Sequence, residues 1–508
     1  MAFFLAFIPI ASILVLMVGF RWGAARAGGA GYLSALLIAA LAFGAGPQLL
    51  GYAHTRALLL SLDVLYIVWA AFLLYRVADE AGAIRSIGQA LPHLTADRGM
   101  QALVIGWVFA SFLQGVGGFG VPVAVIAPIL VGLGFTPMMA VVIPSLGHGW
   151  AVTFGSLGSS FQALMASTGL PAEVLAAPSA LFLSASGLLT GLLVAHAAEG
   201  WSAVRRLALP IAVFGIVMGA VQYVTATAGL WNIAAFCAGV GGLLFAVPLA
   251  RRFRGQQGEN GDLDRRGLEF AVSGYLVLIA VTLAVQLVQP LNEFLGQVAI
   301  RVDFPEVRTA LGHVTPAGPG RTIPVFRHAG AILAFSSVLA YLIYRRAGLY
   351  TPGAARRILS GTLRKVLSSS VSIASMVAMA VIMENSGMTE AMARGLAGGV
   401  ERLYPLIAPW IGALGAFMTG SNTNSNVVFG ALQLRTAQIL GYTAAVILGG
   451  HTAGAALASV MAPTKVVVGA STAGMAGKEG DILRGLIGYT ALLVALISLL
   501  TLLALWFV

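Results

Sequence analysis

The chain has 508 residues, of which 59% are hydrophobic and only 9% charged, with a net charge of +11. Soluble domains carry roughly 25% charged residues, so this composition excludes an ordinary water-soluble enzyme or binding domain and points to an all-α polytopic membrane protein. The basic residues sit in short loops, where they set topology rather than form a nucleic-acid surface, and the single cysteine, Cys237, excludes an intrachain disulfide framework and a Cys-rich metal site.

In chain order, "MAFFLAFIPIASILVLMVGF" has no basic start and reads as a span rather than a cleaved signal. Further apolar stretches fall at about 31–46, 57–77, 100–113, 137–157, 174–197, 207–226 and 231–249 in the first half. The second half gives about 269–289, 329–344, 366–384, 405–418, 442–462 and 486–507. Stretches near 20 residues match the hydrocarbon thickness, and about 12–14 transmembrane segments are predicted. Two regions break the pattern. "QGVGGFGVP" follows Leu113, and "TGSNTNSN" follows Met418, each between short apolar arms. An unsatisfied polar group in hydrocarbon costs several kcal/mol, so such tips belong inside protein or beside a wet cavity. Both read as re-entrant hairpins, near 100–134 and 405–440.

The loop arginines and lysines fall on one side if each hairpin enters and leaves on the same side; both termini and the 290–328 loop then lie outside. Matching pieces recur about 305 residues apart: "LGFT" at Leu133 and "LGYT" at Leu440, then Gly147-His148 and Gly450-His451. The organisation predicted is one membrane transport domain, 1–508. It comprises a first repeat over 57–250, a cytoplasmic linker at 251–268 and a second half over 269–508, the two repeats being inverted. Inverted repeats with a site where they meet are a common plan of secondary transporters.

At the first tip, Gly115, Gly117, Gly118 and Gly120 allow a sharp turn and leave backbone N–H groups open. Helix arms ending there favour an anion. At the second tip, Ser421, Asn422, Thr423 and Asn424 add side-chain donors and acceptors, and Gln114 flanks the first tip. The bland alternative is a polar contact between helices. His148 and His451 inside spans are candidates to carry a coupling proton, and Asp63, a charge within a span, is another. Glu384 and Lys465 stand near span ends, where a long side chain is expected to reach the interface. No His-Glu-x-x-His motif or other catalytic constellation stands out, so neither an enzyme nor a metal site is predicted, and no cofactor.

"FLQGVGGFGVPVAVIAPILVGLGF", "GAFMTGSNTNSNVVFGALQ", "STAGMAGKEGDILR" and "AAFLLYRVADEAGAIRSI" resemble the signature regions of the L-lactate permease family, in order and through most of the chain. The resemblance implies uptake of lactate, glycolate or a related 2-hydroxy acid by cation symport, with H+ or Na+ as coupling ion, through hairpin repeats moving as an elevator. It also implies the bacterial inner (cytoplasmic) membrane, with lipid and a small organic anion as partners and a homodimer left open. "SNT" at Ser421–Thr423 is similar to the hairpin signature of dicarboxylate/sodium symporters. The chain departs from relatives that often carry a glutamate where Gln114 stands and from some that carry an aspartate where Asn422 stands; both are amides here, and an amide does not titrate. A sodium-coupled or uncoupled carrier of another anion, such as a sulfonate or dicarboxylate, is the alternative, and an anion channel a more distant one.

Overall fold

The computed structural model describes residues 2–20, 22–118, 120–253, 265–319 and 322–506. Most of the 251–268 linker lies outside these residues. Among them, eight helices are long and apolar enough to cross a membrane, or nine if a pair bent by 82° near residue 288 is one span. The 12–14 segments expected also include pieces too short for that criterion, such as the apolar Ala2–Met17 helix. The stretch Ala208–Ala250 counts once, yet Gly229 at φ 84° turns it and its two helical arms pack on each other.

Helix starts follow local chemistry. Pro47 and Pro137 open their helices, where a missing N–H costs nothing. Asp97 caps the Arg98 helix by accepting from Met100 N at 2.8 Å, and Ser421 accepts from Asn424 N at 3.3 Å.

The order of helices recurs along the chain. Helices beginning at Ala24, Pro47, Ala83, Arg98, Pro137 and Ala172 correspond to those beginning at Ala329, Ala354, Met388, Tyr404, Ala444 and Glu479, separated by 305 to 307 residues. In each series the fourth of these helices opens a helical hairpin: Arg98–Val116 with Val121–Gly132, and Tyr404–Thr419 with Asn422–Leu440. A broken helix follows: Pro137–Gly149 then Gly155–Thr168, and Ala444–Ala458 then Pro463–Thr472. The first arm of each hairpin lies against its broken helix so closely that a methyl group at Gly147 or Gly454 would overlap the carbonyls of Gly106 or Pro409.

The stretch 299–324, for which the sequence offered no assignment, forms three successive antiparallel pairs. Ala299 faces Pro324, Asp303 faces Pro319 and Val307 faces Thr315, a narrow arm of paired strands. It is fastened by Ala310 N donating to Gly44 O at 2.8 Å and by Thr315 Oγ1 donating to Asn385 O at 3.2 Å.

Candidate functional site

The two hairpin tips and the two helix breaks converge. At the first tip, Gly118 takes φ 46°, and a side chain there would overlap Ser156 Oγ in the break after Gly155. Ser156 and Leu157 themselves have φ 48° and 56°, a left-handed conformation L-residues rarely adopt. Gln114 is 2% exposed; its Nε2 lies against Gly118 and Gly155, and its Oε1 has no hydrogen-bond partner. Gly115 backs onto the backbone of Phe236 and Gly117 onto the ring of Tyr75. These two glycines therefore serve helix packing, whereas Gly120 (φ 87°) faces the side chain of Lys465.

The second tip is the polar end of the Asn422–Leu440 helix. Asn422 Nδ2 donates to Thr153 Oγ1 at 3.0 Å, and the Thr423 and Ser160 hydroxyls are 3.0 Å apart. Asn426 Nδ2 donates to Ser160 O at 2.8 Å and Thr452 Oγ1 at 3.0 Å. The cluster thus joins the second hairpin to the broken helices of both series. Asn424, two residues on from Asn422, turns elsewhere: its Nδ2 donates to Ser372 Oγ at 3.1 Å. The Oδ1 atoms of Asn422, Asn424 and Asn426 have no partner despite near-complete burial. Buried amide oxygens of this kind cost stability unless something else uses them.

Beside the second tip lies a cavity of about 520 Å³. One wall is Gly420, Ser421, Asn424 and Lys465; the other includes Arg26, Lys365 and Ser372. Among the described residues, the three ionisable ones lining it are all cations. Lys465 is not at the interface, as its place near a span end suggested. It is 8% exposed, and its Nζ donates to Ser459 Oγ at 3.0 Å. The correction has a local cause: the chain breaks at 459–462 and restarts as a helix at Pro463, which brings Lys465 inward beside both tips. A sequence signal existed in "MAPTK", where Pro463 interrupts an apolar run, but the burial of the lysine depends on packing from distant helices.

The coupling candidates are dispersed. His148 Nδ1 donates to Pro144 O at 2.6 Å, and His451 Nδ1 lies 3.2 Å from Gln433 Nε2. Both rings are fully buried with Nε2 unpartnered, and neither lines the cavity. Asp63 is 1% exposed and accepts from Gln162 Nε2 at 2.6 Å and His328 Nε2 at 3.0 Å. His328 Nδ1 accepts from Gly330 N, which leaves the proton on Nε2, and its ring stacks on Tyr66 at 5.1 Å. Gln162 and His328 escaped the sequence reading because their partner is remote in the chain. Glu384 is solvent-accessible and lines a second cavity of about 320 Å³ with His313, Glu390 and Arg435.

Many apolar helices around a cavity with basic and polar side chains on its walls, the second interrupted hairpin on one wall and Gly120 of the first against Lys465, define an integral membrane protein built to pass a small polar solute. The chain belongs to the L-lactate permease family, whose model matches residues 2–508. It is 25% identical over 535 residues to the glycolate permease GlcA of Escherichia coli (strain K12), covering 98% of this chain and 94% of that protein. It is 29% identical over 394 residues to an L-lactate permease of Streptococcus iniae, covering 74% and 78%. An L-lactate permease of Bacillus subtilis (strain 168) is 25% identical over 485 residues, covering 87% and 84%.

Proposed function

We propose that the protein is a secondary active transporter importing lactate, glycolate or a related short 2-hydroxy acid across the bacterial inner membrane. The observation that carries this reading is the cavity at the second tip, lined among the described residues by three cations and no carboxylate, in a chain of the L-lactate permease family. Backbone and amide groups there can replace the hydration shell of a carboxylate, which hydrocarbon does not. The recurring helix order supports two inverted repeats, with the site where their hairpins meet. The walls support an elevator: one belongs to the hairpin and broken helix, the other to helices beginning at Ala24 and Ala354. Import is coupled to H+ or Na+. Proton coupling falls to His148 or His451, whose Nε2 atoms have no partner, before Asp63, which is committed to Gln162 and His328.

The cationic surplus of the cavity favours a dicarboxylate as second reading, since a dianion neutralises more of it. Purified protein in liposomes, offered radiolabelled lactate, glycolate, a dicarboxylate and a sulfonate with imposed H+ or Na+ gradients, decides. Saturable uptake of lactate or glycolate, accelerated by one inward gradient, is the expected result. Non-saturable flux would indicate a channel, and preference for the dicarboxylate would move the assignment to the second reading.

A further inference from the structure

We infer that Lys465 and Asn424 form a donor–acceptor pair that selects 2-hydroxy acids, Lys465 taking the carboxylate and the Asn424 carbonyl oxygen the 2-hydroxyl. This rests on the reading of the substrate as a small carboxylate and names the residues that would read it.

Lys465 carries a charge in an expensive place. It is 92% buried, its hydrogen-bond partner is the neutral Ser459 hydroxyl, and among the described residues no carboxylate forms an ion pair with it. A buried ammonium without a counter-charge is strongly disfavoured. Its position adds to the penalty. Lys465 is the third residue of the Pro463–Thr472 helix, at the positive end of the helix dipole. Both penalties are relieved by one event, arrival of an anion. An ammonium has three donors, and one is used by Ser459, so two remain for a carboxylate.

The second helix end points the same way. The Asn422–Leu440 helix starts beside Thr464: a methyl group at Gly420 would sit 2.7 Å from Thr464 Oγ1. Asn424, on the first turn of that helix, lines the same cavity as Lys465 and is 4% exposed. Its Nδ2 is taken by Ser372, which fixes the amide and leaves Oδ1 as an unused acceptor. A carboxylate cannot use that acceptor, whereas a hydroxyl donates to it. A molecule bearing a carboxylate and a neighbouring hydroxyl satisfies both groups; one lacking either leaves a buried polar group unmet, which is how sites reject close analogues.

The test compares lactate with propionate, which lacks the hydroxyl, and with lactamide, which lacks the charge. Uptake into liposomes is measured by competition, and thermal unfolding of the purified protein is followed with and without each compound. Wild type is expected to prefer lactate over both analogues. In K465Q the KM for lactate should rise roughly 10- to 100-fold, and the preference over lactamide should collapse. The unliganded protein should melt no lower than wild type, because an uncompensated charge has gone. In N424A the lactate-to-propionate preference should fall towards one, while discrimination against lactamide persists. K465R keeps the charge and should keep discrimination against lactamide, which preserves the test if K465Q does not fold. K465Q with a wild-type KM, K465R without discrimination, or N424A with the hydroxyl preference intact would overturn the assignment alone. A wild type that answers to no carboxylate would end the transport reading and this inference with it.

Discussion

Asn422 and Thr423 hold the second tip against Thr153 and Ser160, and each spends only part of its hydrogen-bonding capacity on the protein. Asn422→Ala and Thr423→Val should abolish uptake at normal levels of folded protein in the membrane; wild-type uptake by both would dismiss the tip as a site. Gln114 offers a sharper experiment. A carboxylate there would repel an anionic substrate unless protonated, so Gln114→Glu should give uptake that rises as external pH falls through the new carboxyl's pKa, more steeply than wild type. Identical pH profiles at matched expression would place residue 114 away from the transported anion. Asp63 is a different case, since two buried donors depend on it. Asp63→Ala should destabilise the protein by about 2–5 kcal/mol in thermal or denaturant unfolding, while Asp63→Asn should fold and keep gradient-driven uptake. Loss of the gradient response in a folded Asp63→Asn would make Asp63 the proton carrier. The tip residues were legible in the sequence because a polar run between apolar arms has few affordable places in a membrane. Lys465 was not, because a lone lysine near a span end has a cheap default at the interface, and only the packing of distant helices removes it.

At the scale of the element, the break that runs from Gly149 through Gly158 shows how the site is shaped. Ser156 and Leu157 stand in left-handed backbone, each at a cost of about 1–2 kcal/mol, and that conformation lets the break receive Gly118. Ser156→Gly removes the backbone cost and little packing, so the unliganded protein should melt at a higher temperature. Leu157→Gly should melt lower, because Leu157 is fully buried and its loss leaves a cavity. A lower melting temperature for Ser156→Gly would show that its side chain contributes more than its backbone costs. The sequence reads as one unbroken apolar span over 137–157, whereas the structure breaks it after Gly149, since left-handed serine and leucine have no compositional mark. The strand arm at 299–324 escaped for a related reason: strands of two residues are too short to show an alternation. The long apolar helices and the spacing of matching motifs, by contrast, follow from periodicity and length alone.

For the whole molecule, the proposed topology makes predictions about sidedness. On a Cys237→Ser background, a cysteine at exposed Arg356 should react only with reagent applied from the cytoplasm, and one at exposed Ala317 only from outside. Reversal of either would break the inverted arrangement of the hairpins. A cysteine at Val468, on the cavity wall, should react from the cytoplasmic side and be slowed by saturating substrate. Labelling from outside, or no protection, would place the open pathway on the other face.

The two outer cations of the cavity have a kinetic side. Arg26 and Lys365 are exposed, and among the described residues no carboxylate lines the cavity with them. On the proposed orientation, a released anion leaves through a mouth that attracts it, and the field of such charges reaches about 10 Å at 0.1 M salt. Local anion concentration at the mouth exceeds that of the cytosol, so return of the substrate to the site is favoured and net import slows as the product accumulates. The basic mouth then acts as a brake set by internal supply, one that higher ionic strength should loosen.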